Sequence, residues 1–278
     1  MERQAQRTCH VDLSVADVTQ PPKLLSLTMS ETPARTLRVA TYNVHGCVGM
    51  DRQRSEARIA DVIAELSADI IGLQELDRGR RRSATADQAT IIAERLGWHS
   101  HFHPAMQRGD EHYGHAILSR YPLTARRAVE LPGSAPFFCR ETRSAIGMDV
   151  ATDLGVVHII NTHLGLGRRE RLLQTRLLTS GEWLEVIAGA APLILLGDFN
   201  SRPGSRPHQT LSRHLRDVRR LIQPFRPART FPTSFPVLAV DHIFVNAALQ
   251  PLSLSVHRGA LSRVASDHYP LVAELGVI

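Results

Sequence analysis

Lysine is almost missing from this chain. Lys23 is the only one, so arginine carries nearly all the positive side of a formal net charge of +6. A P-loop needs its Gly-Lys-Ser/Thr and a Schiff-base enzyme needs a buried lysine, so neither chemistry fits the body of the sequence. Cysteine is scarce too. Cys9, Cys47 and Cys139 share no paired spacing, which excludes a disulfide framework and a CxxC-type zinc module and suits a reducing compartment. A cytoplasmic location is therefore expected, extending at most to peripheral contact with a membrane. Aromatic residues make up 5% of the chain, thin provision for stacking single-stranded bases. No apolar run approaches the roughly 18 residues that a membrane helix needs.

What remains is ample for a globular fold. Hydrophobic residues make up 43% of 278 positions and charged residues 22%, which supports a buried core and excludes global disorder. The arginines are spread along the sequence, the pattern of a compositional bias. They gather at Arg78, Arg80, Arg81 and Arg82, and at Arg213, Arg216, Arg219 and Arg220, where helical spacing suggests a solvated face. Residues 1–35 show no clean period and contain Pro21-Pro22. They read as a flexible extension without a secretory signal pattern, and translation from Met29 would lose little. Residues 36–278 read as one domain, expected to be a monomer.

Within that domain two periods alternate. Residues 37–42 read as a strand. Ile59, Val62, Ile63 and Leu66 then recur on one helix face, and residues 69–73 form a buried strand ending at Gln74-Glu75. Ala89, Ile92, Ala93 and Leu96 mark a second helix. Strands follow at 116–118, 145–150 and 156–161, a helix at 169–187 through Leu184 and Ile187, and strands at 193–196, 240–245 and 271–275. Both halves open with strand–helix–strand units. The alternation predicts α/β layers with helices outside central sheets.

Polar residues stand where apolar strands stop. Asn43, Glu75, His163, Asp198 and Asn200 each follow a strand, while Asp241 and the pair Asp267-His268 open strands. Loops at strand ends are where α/β proteins converge ligand-binding groups. Carboxylate and amide oxygens without thiolates suit Mg²⁺ or Mn²⁺, and imidazoles shuttle protons near neutral pH. Together they form a toolkit for attack of water on phosphorus.

The same residues carry a resemblance. Thr41-Tyr42-Asn43, Leu73-Gln74-Glu75, Asn161-Thr162-His163-Leu164, Gly197-Asp198-Phe199-Asn200, Val240-Asp241-His242-Ile243 and Ser266-Asp267-His268-Tyr269-Pro270 occur in that order. The chain resembles the endonuclease/exonuclease/phosphatase superfamily from about residue 37 to 275. The stretch Tyr42-Asn43-Val44-His45-Gly46-Cys47 is further similar to a bacterial branch related to glycosylphosphatidylinositol-anchor remodelling catalytic domains. The resemblance implies a four-layer α/β sandwich with the site at one end of two packed mixed sheets. It implies that Glu75 binds the metal, with Asn43 and Asp267 close by. Asp198 and Asn200 would align the attacking water and the phosphate. His163 and His268 would contact the scissile phosphate or transfer protons, with Asp241 orienting His268. Arg143 would bind phosphate, with Arg140 as a neighbouring alternative. Many relatives carry asparagine where this chain has His115, so His115 enters as a further candidate phosphate contact.

Most of the 14 histidines cannot be catalytic. His99, His101 and His103 alternate along one strand face, expected to be exposed; His158 and His242 read as structural, and His45 stays outside the core set. Three functions remain in view. The first is a metal-dependent phosphodiesterase acting on a lipid-type or small phosphodiester. The second is a nuclease on DNA or RNA, using an arginine-bearing loop at 201–235. The third is a dead binding protein, disfavoured because Glu75, Asp198 and His268 are all competent residues.

Overall fold

The computed structural model describes residues 36–133, 141–181, 183, 191–225 and 228–278. The readings placed on residues 1–35, on Arg140 and on Leu184 and Ile187 lie outside these residues. The chain runs β1 (Thr36–Asn43), α1 (Glu56–Glu65), β2 (Ile70–Arg78) and α2 (Gln88–Leu96). It continues through β3 (His99–Arg108), β4 (Glu111–Ser119), β5 (Leu123–Leu131), β6 (Arg143–Thr152), β7 (Gly155–His163) and α3 (Arg168–Leu178). The last part holds β8 (Leu193–Asp198), α4 (Arg206–Leu211), β9 (Arg216–Asp217), α5 (Val218–Ile222), β10 (Asp241–Val245), β11 (Leu249–Val256), α6 (Ser262–Ala265) and β12 (Leu271–Val277).

Two mixed six-stranded sheets result, ordered β11-β12-β1-β2-β4-β3 and β5-β6-β7-β8-β10-β9. In each, a strand–helix–strand unit supplies the central parallel pair, β1 with β2 and β7 with β8, and antiparallel strands flank it. Strand alternation then divides the core into three layers. Val39, Ile70, Ile146, Ile159, Ile194, Leu196 and Ile243 pack between the sheets. Tyr42, Ile71 and Leu73 face outward, against Ile59, Val62 and Ile63 of α1 and Ile92 of α2. Ile160, Leu195 and Phe244 face outward on the other side, beneath Leu178 of α3 and Leu211 of α4. This is the four-layer α/β sandwich expected from the sequence.

Local chemistry explains the helix ends. Ser55 and Asp87 accept from the backbone N–H groups of Arg58 and Thr90 at the starts of α1 and α2, satisfying donors that the helix leaves free. The helix expected over 169–187 is interrupted: α3 ends at Leu178 and the chain turns at Thr179 and Ser180. Arg213, Arg216, Arg219 and Arg220 do not share a helix face either. Arg216 lies in β9, donating to the carbonyls of Asn246 and Leu249, and Arg219 pairs with buried Asp217. The 201–235 segment is thus partly folded into α4, β9 and α5.

One local departure matters for function. The strand expected to stop at Gln74-Glu75 runs on to Arg78, and its pairing with β4 shifts between Leu73 and Leu76. In a regular strand Glu75 would share the helix-facing side of Ile71 and Leu73. The extra residue of the bulge gives that side to Leu76, and Glu75, at φ 63, turns toward Asn43. A bulge that re-aims a side chain in this way is a recognised device beside active sites.

Candidate active site

The two sheets meet through amide side chains. Below the site, Gln74 Nε2 donates to Asn161 Oδ1 at 2.8 Å, and Asn161 Nδ2 donates to the carbonyls of Leu73 and Ala116. Buried amides satisfied on both sides fix one register between the sheets. One step nearer the surface, Asn43 Nδ2 donates to Glu75 Oε1 at 2.9 Å and to Asp198 Oδ2 at 3.1 Å. Glu75 comes from the first sheet and Asp198 from the second, so one amide spans the seam. Gly197 lets this happen. At φ 148, a Cβ there would sit 1.9 Å from the Thr162 carbonyl oxygen, so the approach of β8 to β7 tolerates only glycine.

Asp198 is the hub. Its Oδ1 accepts from the backbone N–H of Asn200 at 2.8 Å, while its Oδ2 lies 3.5 Å from His163 Nε2 and 3.7 Å from His268 Nε2. Asp241 faces it in the β8–β10 register. Burial, reinforced by the Asp241 charge, pushes the Asp198 carboxyl up to about 7.

His268 donates from Nδ1 to Asp241 Oδ2 at 2.9 Å. Burial alone would lower its pKa, but the Asp241 charge and hydrogen bond, with Asp198 and Asp267 behind them, outweigh this and raise it to about 10. β10 and β12 are not neighbouring strands; they belong to different sheets, and the contact crosses the interior of the sandwich. Thr230 also donates to Asp241 Oδ2, while the buried Oδ1 has no hydrogen-bond partner. Ser266 Oγ donates to the Asn43 carbonyl at 2.8 Å, tying the His268 loop to the end of β1.

His163 is held differently. Arg143 Nη1 lies 2.9 Å from Nδ1, and Asn200 Nδ2 lies 3.1 Å from Nε2. Both neighbours donate, and a neutral ring accepts only once. The charged guanidinium takes Nδ1, leaving the ring proton on Nε2 toward Asp198, while the Asn200 amide donates to the Leu164 carbonyl at 2.9 Å. Burial first, then Arg143, hold His163 well below its ordinary pKa, so the ring is neutral.

The structure therefore brings Asn43, Glu75, His163, Asp198, Asn200, Asp241 and His268 into one contiguous cluster. Asp267 lies beside it, half-buried, its Oδ1 accepting weakly from Ser266 at 3.4 Å. Arg143 joins through His163 and an ion pair of 2.7 Å with Glu141. His115 is buried and bonded to Ser144 at 3.3 Å rather than to the cluster; burial lowers its pKa to about 3, so it carries no positive charge at neutral pH. His101 and His103 are half-buried, not exposed as expected, and His103 packs against His115 with ring centroids 6.0 Å apart. Sequence reasoning missed Thr230, Glu141 and the Gln74–Asn161 bridge. Thr230 and Glu141 stand outside any periodic pattern; the amide pair had a signal, a polar residue at an inward position of an apolar strand.

A cavity of about 620 Å³ opens beside Glu75, lined by Arg54, Asp77, Arg80, Arg82, Tyr113 and Glu141 among others. The donor set suits a hard cation. Glu75 offers its carboxylate at the edge of this space and is bonded by the Asn43 amide, and Asp198 and Asp241 add carboxylates nearby, beside His268. Burial first, then the Asp241 charge, raise the Asp198 carboxyl, and a divalent ion held at Glu75 would stabilise the ionised form of both carboxylates.

The sequence profile of the Endonuclease/Exonuclease/phosphatase family matches residues 40–268. This chain belongs to that family. Its members are phosphoesterase hydrolases, and the enzyme class follows from membership. The chain is 28% identical over 260 residues to the uncharacterized protein YbhP of Escherichia coli K12, covering 88% of this chain and 98% of that protein. It is 27% identical over 160 residues to protein cwh43 of Schizosaccharomyces pombe, covering 57% of this chain and 16% of that protein. The structure of mannosyl-6-phosphatase Bt3783 from Bacteroides thetaiotaomicron shares the fold, with a TM-score of 0.67 at 22% identity over 86% of this chain and 99% of that one. Among the described residues, no helix is long and apolar enough to cross a membrane.

Proposed function

We propose that this family member is a divalent-metal-dependent phosphodiesterase that cleaves a lipid-type or small phosphodiester by attack of water. One observation carries the reading: Glu75, Asn43, Asp198, His268 and Asp241 form an unbroken line of polar contacts across the seam of the two sheets. Glu75, with Asn43 and Asp267, would hold Mg²⁺ or Mn²⁺. When bound, the ion neutralises charge on the phosphate oxygens.

The chain's own groups divide the remaining work by their pKa. Asp198, raised to about 7, is basic enough to take a proton from water at neutral pH, and Asn200 fixes its orientation. His268, raised to about 10, stays protonated and presents a cation to a phosphate oxygen, while Asp241 holds its Nδ1–H. His163 presents a neutral Nε2–H donor. Arg143 acts through His163 instead of gripping phosphate, because its guanidinium is engaged by Glu141 and the ring. Neutral His115 supports the strand behind them. The small-diester reading over a nuclease is favoured by Arg216 and Arg219. Two arginines of the best phosphate-tracking segment are committed to internal partners, which leaves fewer charges to follow a backbone.

The test is a hydrolysis panel with Mg²⁺ or Mn²⁺: generic diesters, sphingomyelin, inositol phosphates, sugar monophosphates, plasmid DNA and abasic DNA. Turnover of small or lipid diesters, abolished by chelator while the fold persists, supports the reading. Preference for DNA overturns the substrate class. Glu75→Gln keeps the side-chain shape and removes a charged ligand. It is expected to abolish turnover and weaken metal binding by calorimetry while thermal unfolding stays normal.

A further inference from the structure

Next to the site the molecule carries an unbalanced arginine surface. Between residues 164 and 215 the sequence holds seven arginines against four carboxylates, Glu170, Glu182, Glu185 and Asp198. Among the described residues of that span the carboxylates are Glu170 and Asp198, both buried and internally bonded. Arg168, Arg169, Arg202, Arg206 and Arg213 are exposed. All of these but Arg202 border two shallow clefts between α3 and α4. One of about 410 Å³ is lined by Arg168, Arg169, Arg171 and Arg206; one of about 450 Å³ is lined by Arg176, Arg206, Arg213 and His214.

Two apolar tips stand on loops tied to the site. The loop after His163 is pinned on every side. Leu164 N donates to the Asp198 carbonyl, Gly165 N to Gln174, Gly167 N to Glu170, and Arg171 to the carbonyls of Gly165 and Leu166. Leu166 at its crest is 54% exposed. The loop that leads into Asp241 and packs on His268 is pinned likewise. Thr233 N donates to the Asp267 carbonyl, Thr233 Oγ1 to the Ser266 carbonyl, and Phe235 N to the Pro232 carbonyl, while the Phe231 ring packs 4.7 Å from that of His268. Phe235 on this loop is 73% exposed. Fully bonded loops that hold large apolar side chains in water are a signature of contact with an apolar phase.

We infer that this face, the α3–α4 arginine clefts with Leu166 and Phe235, docks the enzyme on an anionic lipid bilayer and so presents the active site to headgroups. The inference rests on the phosphodiesterase reading above for what docking accomplishes. Arginine forks match lipid phosphates, and shallow insertion of apolar tips adds the hydrophobic contribution of an interfacial anchor. An aliphatic tip such as Leu166 offers nothing to a stacked base, which separates this surface from a nucleic-acid groove.

The experiment is co-sedimentation of the full chain with vesicles of phosphatidylcholine alone and of equal parts phosphatidylcholine and phosphatidylglycerol, without substrate. Binding is expected to the second and not the first, and to fade as salt rises. Arg168→Glu, Arg169→Glu and Arg206→Glu together should weaken it by about 10² or more, since each arginine at an anionic surface is worth roughly fivefold. Leu166→Asn with Phe235→Ser should weaken it by about tenfold or more, as expected for removing buried apolar side chains. Both variants should melt normally and turn over a soluble diester at the parental rate. Equal binding to the two vesicle types overturns the inference. So does a Leu166→Asn, Phe235→Ser variant that binds undiminished while duplex DNA competes for the arginines, since that identifies a nucleic-acid face. Failure of the catalytic reading would appear separately, as absent turnover of the soluble diester by a protein that still binds vesicles.

Discussion

The strand pair β8–β10 carries a buried histidine–carboxylate cluster on each of its two faces. On the inner face are Asp198, Asp241 and His268; on the outer face are His208, Asp217 and His242, and each trio converges its polar atoms within 4.8 Å. Each contains a histidine–carboxylate contact of 2.9 Å. By residue type and spacing they are near twins. Their electrostatics are opposite. Asp217 accepts from His208 and from the Arg219 side chain and backbone, and these partners overcome burial to hold its carboxyl below the usual range. Burial lowers His242 to about 4, and its Nε2 rests on the Ser201 carbonyl at 2.8 Å. No ring nitrogen or carboxylate oxygen of that trio is buried without a partner. The inner face has an orphaned Asp241 oxygen, a carboxyl raised to about 7 and a histidine raised to about 10. Unsettled charge, more than the presence of histidine beside acid, distinguishes a reacting site from a structural knot.

The largest effect should come from breaking the inner pair. Asp241→Asn keeps its size, loses the charge and frees the ring to take the wrong tautomer. Turnover at saturating metal is expected to fall by about 10²–10⁴, with substrate binding changed much less. His268→Ala should cost about as much, and the double variant little more than either, because the two act as a unit. Fully additive losses would show that they work independently.

The outer cluster should answer with stability instead. Asp217→Asn leaves Arg219 without its buried partner, and the expected loss is about 3 kcal/mol, read from denaturant unfolding. Turnover per folded molecule should stay within about threefold of the parent, well short of the losses expected for an acid–base group. A catalytic collapse at unchanged stability would erase the distinction between the faces.

The smallest effect is one of pH. A histidine raised to about 10 in the folded state contributes stability that is fully present below its unfolded value of roughly 6.5 and is lost as pH rises through about 10. Asp198, raised to about 7 partly by Asp241, adds a cost to the parent as it ionises. Both terms run the same way. The gap in melting temperature between the parent and Asp241→Asn should be widest in mild acid and should narrow toward pH 10. A gap independent of pH would remove the linkage.

The central strands and the two long helices of the first half were legible because burial on one or both faces writes a period into the sequence. The strands that periodicity passes over are edge strands. β5, β9 and β11 lie at sheet margins, where one neighbour is missing and the pattern dissolves: β5 reads Leu-Thr-Ala-Arg-Arg-Ala-Val-Glu-Leu, and β11 carries Pro251 at a register shift. β3, also an edge, showed only through its alternating histidines. At the site, the identities of Glu75, Asp241 and His268 were legible but their geometry was not. A bulge leaves no mark in composition, and a contact across two sheets cannot be read from the order of strands. Thr230, beneath Asp241, comes from a segment with no period at all.

The single amide of Asn43 has a consequence for how this protein fails. It tethers a carboxylate from each half of the sandwich, at 2.9 Å and 3.1 Å, so the reacting geometry exists only while the halves keep their alignment. A core substitution far from the site that lets one sheet slide by a fraction of an ångström would loosen this tether long before the molecule melts. On the proposed function, turnover would act as a strain gauge for the sandwich, silenced by misalignments that a thermal unfolding curve would not register.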